Sequence, residues 1–348
     1  MTDRSRGGAA AFDVYLEKPV GRPLEVTADV PMFFDFADRA TAFAVLDPEL
    51  PAGCARRSLL AEAWARAGLY GVDVGANDAL ASSSAAYVAW LVEPCEPMIL
   101  GAIDDYQANP QRAVSSEGYA RGAMLFPWFI QTQYGAPHSV DLLHALWLYS
   151  QQRTPPGNFS YVNRPDFIDV LRSLQKDRGA TLADLLLEYS IARAFVGDRD
   201  DGIHMPDSTW LGRAGRVRFD GRVDYASLPQ WIRPVAPIEP SGATYLWVNV
   251  KGAPKNASIG FRAEWETPTV FRFAFMKIGA DGTELSRLAP ISQEKATQLD
   301  VNVEDFSGAE ALLIVGANVG AIAGDFKYDP DEMPLEPQGY LITLVAQH

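Results

Sequence analysis

Residues 58–91 read SLLAEAWARAGLYGVDVGANDALASSSAAYVAWL and decide the fold of the first part of the chain. Before the GVDVG turn, apolar residues recur at spacings of three and four, which places them on one face of a helix. The residues of this predicted core face are Leu59, Leu60, Ala63, Trp64 and Ala67. A second apolar stretch follows the turn and continues to Leu91. The segment therefore predicts two helices that pack against each other across a short loop.

A small sheet is predicted before the helix pair. Four short segments between residues 11 and 47 are rich in β-branched and aromatic residues and are separated by turn residues. They read FDVYLEK, LEVTADV, PMFFDF and TAFAVLD. We expect them to form an antiparallel sheet that leans on the helices.

Further helices are predicted between Tyr119 and Gly197. Asp166 and Thr181 stand where N-cap residues are expected, and Gly179 and Gly197 stand where helices end. Residues 198–234 show little periodicity and are expected to form an ordered connector with one or two short strands.

The apolar period changes to two after Pro240, and six strand-like segments follow. They predict an antiparallel β-sandwich of about one hundred residues. The fold class is therefore α+β, with a helical domain and a small N-terminal sheet followed by the sandwich. The predicted divisions are an arm and first strands at 1–30, a helical domain at 31–234 and the sandwich at 235–348.

The composition limits the classes of partner. The chain has 348 residues and a formal net charge of −14, with no evident cluster of Lys and Arg. Because phosphate binding draws on such clusters, nucleic acid and anionic lipid are not expected partners. No apolar run is long enough for an integral membrane span, and residues 1–16 carry no export signal. No cofactor motif is present, so none is expected.

Cys54 and Cys95 are the only cysteines, and they bracket the predicted helix pair. Antiparallel helices bring these two positions to the same end of the hairpin, so a disulfide is geometrically possible. The alternative is two reduced thiols in a cytosolic protein. We predict the bridge, and with it an exported protein, because a reducing compartment would remove it.

The helix that contains Ala61–Ala65, with the sequence AEAWA, resembles the metal-binding helix of bacterial HExxH zinc metallopeptidases of the Glu-zincin type. The helix with Ser82–Ser84, the segment YARGAMLF at 119–126 and the sandwich opening GATYL at 242–246 extend the resemblance. It implies a metallopeptidase-like helical domain followed by a β-sandwich. Glu62 then corresponds to the general base, and alanines replace both histidine ligands.

A second resemblance is to uncharacterised proteins of predatory and gliding soil bacteria that are predicted to be exported lipoproteins. It covers both cysteine positions and the segments AMLFPWF, RTPPG and IEPSGATYLW. This likeness also implies a location outside the cytoplasm, at the periplasm or cell surface.

Other chemistry has weaker support. The four histidines, His138, His144, His204 and His348, lack partners at metal-ligand spacing, so no metal site is expected. The acidic turns at 198–202 and 329–332 could hold calcium, although solvated turns fit them better. Aromatic residues of the sandwich could form a sugar platform, although alternating positions in strands are more often core. The residues considered for that platform are Trp247, Trp265, Phe271, Phe273 and Phe275.

Two functions follow from the sequence. The first is a catalytically inactive, metallopeptidase-like protein that binds or scaffolds an unidentified protein, peptide or glycan. The alternative is a hydrolase of peptide or glycan that uses carboxylates such as Glu62 and the Asp104–Asp105 pair in a cleft. Glu62 could instead be a paired, buried acid without a catalytic role.

Overall fold

The α+β class is confirmed by a computed structural model of the chain. It describes residues 12–19, 23–28, 39–151, 165–254, 256–266, 271–290, 296–320 and 337–347. The strand predicted at 31–36, the acidic turn at 329–332 and His348 lie outside these residues. The described residues belong to two compact units. Unit 1 contains the described residues within Met1–Ile103 and Val114–Gly179. Unit 2 contains those within Asp104–Ala113, Ala180–Ile322 and Pro334–His348. The divisions expected after residues 30 and 234 stay a prediction.

Unit 1 begins with a three-stranded sheet of β1 (Asp13–Leu16), β2 (Leu24–Ala28) and β3 (Ala42–Leu46). Its order is β1-β3-β2, with β1 parallel and β2 antiparallel to β3. The predicted antiparallel sheet is therefore mixed. Because β3 inserts between two strands that run in opposite directions, it can be antiparallel to only one of them.

The helix pair consists of α1 (Cys54–Tyr70) and α2 (Asp78–Val92). Leu59, Ala63 and Ala67 of α1 are buried in one core with residues of β2 and β3, as the period predicts. The prediction was wrong for Leu60 and Trp64, which are 36% and 71% exposed. Each of these residues follows a buried residue by one position. One position is a rotation of about 100° around the helix axis, which turns the side chain away from the core.

The predicted disulfide joins Cys54, the first residue of α1, to Cys95, which precedes α3 (Glu96–Ala108). The two Cα atoms lie 5.4 Å apart. Neither described cysteine is free. The bridge closes the open end of the helix hairpin, as its antiparallel arrangement requires.

The other helices are α4 (Leu125–Tyr134), α5 (Asp141–Ser150) and α6 (Phe167–Asp177) in unit 1 and α7 (Leu182–Arg193) in unit 2. Both predicted caps are confirmed. Asp166 and Thr181 each accept a hydrogen bond from the backbone N–H three residues later, and the acid at that position bonds back to the cap N–H. Each pair forms a capping box.

Unit 2 contains nine described strands in two sheets. They are β4 (Gly221–Asp224), β5 (Gln230–Ile232), β6 (Ala243–Asn249), β7 (Ser258–Glu264), β8 (Phe271–Ile278), β9 (Glu284–Leu288), β10 (Gln298–Glu304), β11 (Ala311–Asn318) and β12 (Leu341–Gln347). One sheet has the order β10-β7-β12-β5 and the other β4-β6-β11-β8-β9. The six predicted strands are present, and the sequence prediction missed β9. The two strands of the connector become part of the sheets, β4 in the five-stranded sheet and β5 in the four-stranded sheet. The pairing is antiparallel except between β4 and β6.

Aromatic side chains fill the space between the two sheets. The ring of Phe261, from the four-stranded sheet, lies 5.1 Å from that of Phe273 and 4.8 Å from that of Phe275 in the five-stranded sheet. These contacts establish the sandwich. The outer side of the five-stranded sheet packs against α7, where the Tyr245 hydroxyl donates a hydrogen bond of 2.6 Å to the Ser190 carbonyl oxygen.

None of the described helices is long and apolar enough to cross a bilayer.

Candidate functional site

Glu62, the predicted catalytic candidate, forms a two-pronged ion pair in unit 1. Arg121 donates from Nε and Nη2 to the two carboxylate oxygens at 3.1 Å each. The Glu62 side chain is 12% exposed and that of Arg121 is 28% exposed. The guanidinium binds both oxygens, so the carboxylate is held in an ion pair with Arg121. Its position matches the reading of a paired, largely buried acid.

The resemblance to HExxH peptidases places Ser82–Ser84 in the region of their third metal ligand, and two of these hydroxyls form hydrogen bonds within the protein. The buried Ser84 hydroxyl accepts a hydrogen bond from the Trp147 indole at 3.1 Å, and Ser83 donates to the Leu80 carbonyl oxygen at 2.9 Å. The described residues hold no group of three His, Cys, Asp or Glu side chains that could bind a metal ion. The described part of unit 1 therefore offers no set of side-chain ligands for the metal ion of a metal-dependent hydrolase.

An apolar cavity of about 330 Å³ lies next to the exposed Trp64. Its walls are almost entirely hydrocarbon, and they include Ala65, where the resemblance to HExxH peptidases would place the second histidine ligand. Thr41 contributes the single side-chain hydroxyl of this lining. Such a cavity can accommodate an apolar group but offers no acid–base chemistry.

The outward-facing residues of the four-stranded sheet in unit 2 form a second surface, which we call the outer sheet face. Alternation along each strand sends the other side chains into the sandwich core and these side chains outward. The outer sheet face consists of Gln298, Asp300, Asn302 and Glu304 of β10, Ser258, Gly260, Arg262 and Glu264 of β7, Leu341, Thr343, Val345 and Gln347 of β12, and Trp231 of β5.

The strand register aligns four of these residues in one row across the sheet. Asp300 pairs with Arg262, Arg262 with Thr343, and Thr343 with Trp231. Because neighbouring strands lie about 4.8 Å apart, the row spans roughly 14 Å of backbone. From β10 to β5, the row carries a carboxylate, a guanidinium group, a hydroxyl and an indole.

Arg262 and Asp300 hold each other in place within the row. Arg262 Nε donates to the Asp300 carboxylate at 2.6 Å, and both side chains are 52% exposed. The hydrogen bond from Arg262 lowers the pKa of the Asp300 carboxyl, which is therefore ionised at neutral pH. Gln298 donates to the second Asp300 oxygen. The pair keeps further donors and acceptors open to solvent.

A shallow groove of about 530 Å³ lies over the β10, β7 and β12 part of this row, and its lining does not include Trp231. Gly260 lies in its floor, where a Cβ atom would come within 2.7 Å of the Gln347 amide nitrogen. The absence of a side chain at this position therefore leaves room for the Gln347 amide. Asn302 and Thr343 add further polar groups to the lining.

The β12–β5 side of the outer sheet face carries its large exposed apolar groups. Trp231 is 67% exposed, and Leu341 and Val345 are 42% and 40% exposed. Large exposed apolar groups beside polar ones are typical of binding surfaces. The face therefore offers an apolar side for stacking and a polar side for hydrogen bonds.

A charge network surrounds His204 elsewhere in unit 2. Its ring nitrogens lie 2.7 Å from Asp201 Oδ2 and 2.9 Å from Glu284 Oε2, and Arg287 binds both oxygens of Glu284. Burial disfavours the charged imidazole, but the two carboxylates outweigh this effect and raise the pKa of His204. The network connects the 198–204 segment to β9.

The acidic turn at 198–202 is occupied by protein donors. Asp198 binds Arg216 through both oxygens, and Asp200 accepts hydrogen bonds from the backbone of Gly202 and Ser208. These contacts favour a structural role for the turn over a calcium site, which stays untested.

The core interpretation that the sequence favoured for the sandwich aromatics is confirmed for four of the five residues. Trp265 is 6% exposed, and Phe271, Phe273 and Phe275 are at most 1% exposed, so all four belong to the core. Trp247 is half-buried on the other sheet. The sequence interpretation missed Trp231 because it lies in a three-residue strand within the connector.

Comparisons with known proteins do not assign this chain to a family. Neither a protein-family model nor a curated protein matches it. Among solved structures, 37% of the chain is similar to 97% of the pre-peptidase C-terminal domain of a collagenase from Bacillus anthracis, with 11% identity and a TM-score of 0.23. A structure titled "CBM4 structure and function" matches 36% of the chain over 86% of its own length, with 12% identity and a TM-score of 0.18. Likenesses at these scores carry no functional argument.

Proposed function

We propose that the chain is a non-catalytic binding protein whose outer sheet face binds a neutral glycan strand. The observation that carries this proposal is the row from Trp231 to Asp300, in which an exposed indole stands beside fixed polar groups. A sugar ring presents C–H groups on its faces and hydroxyl groups at its edge. The indole would cover a face of the ring, while Thr343, Arg262 and Asp300 would bind hydroxyls.

A neutral glycan fits the charges of this surface better than a charged one. Arg262 is neutralised by Asp300, while Glu264 and Glu304 add negative charge to the same face. The chain as a whole carries a net charge of −14. An anionic polymer would therefore be repelled, whereas hydroxyl groups carry no such electrostatic cost.

The absence of catalysis is part of the proposal, and the Glu62–Arg121 pair supports it. A relationship to HExxH peptidases also remains a proposal, and it rests on the AEAWA segment with the Ser82–Ser84 helix, the segment at 119–126 and the sandwich opening at 242–246. The hydrolase alternative needs Glu62 near a second acid. Its suggested partners are Asp104 and Asp105, and this pairing stays a prediction. Metal analysis of the purified protein tests the proposal that the chain is catalytically inactive, and stoichiometric zinc at the Glu62 helix would contradict it.

We further propose a location outside the cytoplasm. The Cys54–Cys95 bridge supports it, because disulfides persist in oxidising compartments and are uncommon in the cytosol. A glycan-binding surface would meet its ligand at the periplasm or cell surface. Fractionation of the native host, followed by detection of the protein, tests this location.

The glycan proposal is tested by retention on neutral polysaccharides, with cellulose, xylan, chitin and mannan as the probes. Trp231→Ala should lose at least tenfold in affinity, because the stacking surface is removed. Trp64→Ala is the matched control, since Trp64 is similarly exposed but belongs to unit 1. Retention of none of the probes, or equal loss in both variants, would refute the proposal.

A further inference from the structure

The outermost strand of the four-stranded sheet in unit 2, β10, has an open edge. It has seven residues, and β7 pairs with it along one side over its whole length. No described strand lies on its other side. The other outer strands of the sandwich are poorer templates for pairing, because β4 and β5 have four and three residues and the register of β9 with β8 shifts beside Ile278. Among the described strands, β10 therefore presents the longest regular edge of the sandwich.

The hydrogen-bond pattern shows which backbone groups of β10 face this edge. The Trp265 N–H donates to the Thr297 carbonyl oxygen at 2.9 Å, and extending the strand register by one pair makes these two residues direct partners. Because hydrogen-bonded pairs alternate along an antiparallel ladder, every second residue from Thr297 onward directs its N–H and C=O toward β7. The intervening residues direct theirs toward the open edge, and they are Gln298, Asp300, Asn302 and Glu304. Outside the described ladders, no backbone hydrogen bond of the described residues uses these groups.

The sequence of β10 does not block pairing at this edge. Edge strands are commonly protected by Lys, Pro, a bulge or a charged side chain that points inward. The strand QLDVNVE contains neither Lys nor Pro, its register with β7 is continuous, and the residues that it turns toward the core are Leu299, Val301 and Val303. Leu299 and Val301 pack against the core but are only half-buried, so a further strand at this edge would remove more apolar surface from water.

A second copy of β10 fits this edge in one register. When Val301 lies opposite Val301 of the second copy, Asp300 lies opposite Asn302 and Gln298 lies opposite Glu304. The backbone groups that face the open edge then meet each other, and each carboxylate faces an amide that can donate a hydrogen bond to it. Centring the pair on Asp300 places this residue opposite itself, and centring it on Asn302 places Asp300 opposite Glu304. Like charges directly opposite each other are destabilising, so both of these registers are disfavoured.

We propose that β10 is a dimerisation edge, along which two copies of this chain pair as antiparallel strands about a twofold axis at Val301. Such a contact uses the same residues of both copies and closes on itself, so it does not extend into a fibre. Because the axis is perpendicular to the sheet, the two outer sheet faces point the same way and form one eight-stranded surface. The dimer enlarges that surface, but the inference does not rest on glycan binding there.

Sedimentation velocity of the whole chain tests the pairing from micromolar to millimolar concentration, and we expect a reversible equilibrium between monomer and dimer. Asn302→Asp should weaken dimerisation about tenfold, because it places a carboxylate opposite Asp300 at two symmetric positions. Since Asn302 is exposed, this change leaves the core intact. Ser286→Asp is the matched control, because it adds the same charge at an exposed position of β9, opposite Lys277. It should leave the dissociation constant within about twofold of that of the unchanged chain.

Disulfide cross-linking tests the register separately. Val301→Cys places the two new thiols directly opposite each other in a pair without mutual hydrogen bonds, where the Cα atoms lie about 4.5 Å apart and a disulfide can form. In the same register Leu299 faces Val303 of the second copy, so the thiols of Leu299→Cys do not meet. After mild oxidation, we expect a covalent dimer of the Val301 variant and a monomer of the Leu299 variant on a non-reducing gel.

Three results would overturn the proposal. The first is a chain that stays monomeric at millimolar concentration, which would leave the edge to a strand of a different protein. The second is an equal loss of dimerisation in Asn302→Asp and Ser286→Asp, because the effect would then be one of general charge. The third is equal cross-linking of the two cysteine variants, because the pairing would then have no fixed register.

Discussion

Asp73 makes the stability of unit 1 dependent on pH. It lies in the turn between α1 and α2 and is 1% exposed. The pKa of this carboxyl is raised to about 7, chiefly by burial and in part by the charge of Asp166, while hydrogen bonds from Ser150 and Gly75 act in the opposite direction. The protonated form also suits the local hydrogen bonds, because Ser150 Oγ lies within reach of both Asp73 Oδ2 at 2.7 Å and the Trp147 carbonyl oxygen at 2.8 Å.

A hydroxyl has a single proton, so Ser150 can donate to only one of these two acceptors. When Asp73 is protonated, it donates to Ser150, and Ser150 donates to Trp147. When Asp73 is ionised, one acceptor loses its donor. Asp73→Asn reproduces the protonated arrangement, because the amide N–H can replace the carboxyl O–H and the amide oxygen can still accept from Gly75.

The sign of the effect follows from the raised pKa. The folded chain keeps a proton that the unfolded chain releases near its ordinary pKa of 3.8. Stability therefore falls as the pH rises from about 4 to about 7. The shift is about three pK units, and each unit corresponds to 1.36 kcal/mol, so the contribution of Asp73 is at most about 4 kcal/mol.

Chemical unfolding at about pH 5 and pH 8 measures this contribution in the oxidised protein. We expect Asp73→Asn to be more stable than the unchanged chain at pH 8 by about 1 to 4 kcal/mol, with a smaller difference at pH 5. Comparing the two proteins at each pH removes the contributions of other titrating groups. An Asn variant that is less stable at pH 8, or a difference that does not change with pH, would refute the reasoning.

Three further predictions concern contacts in both units. Glu62→Gln should lower the free energy of unfolding by roughly 1 to 3 kcal/mol, because it leaves the Arg121 charge without its partner, and a double-mutant cycle with Arg121→Gln should reveal the coupling. Reduction of the Cys54–Cys95 bridge, which spans 41 residues, should cost about 4 kcal/mol on the chain-entropy model, measured as a lower melting temperature with reductant. His204→Ala should destabilise the chain more at about pH 6 than at pH 9, because the pKa of His204 is raised and its charged form is lost as the pH rises; an equal effect at both values would contradict this account.

Periodicity and turn chemistry predicted much of the fold because both act over short distances along the chain. The helix pair, the capping boxes at Asp166 and Thr181 and the six sandwich strands all follow from local patterns. Sheet order does not, since the insertion of β3 between β1 and β2 depends on contacts distant in sequence. The exposure of Trp64 likewise depends on which side of α1 meets the sheet.

The candidate sites were harder to predict. Glu62 was recognised as a candidate, but its partner Arg121 is 59 residues away and no local pattern connects them. Trp231 and Arg262 lie in one row, on either side of Thr343, only through the register of β5, β12 and β7.

The most direct test of the central claim is a nitrogen–proton NMR titration of the whole chain with neutral oligosaccharides. The indole N–H signals of Trp231 and Trp64 report on the outer sheet face and on unit 1 in one spectrum. We predict that the Trp231 signal shifts, together with the backbone amides of Arg262 and Thr343, while the Trp64 signal stays in place. A saturable shift at Trp64 with Trp231 unchanged would contradict glycan binding at the outer sheet face.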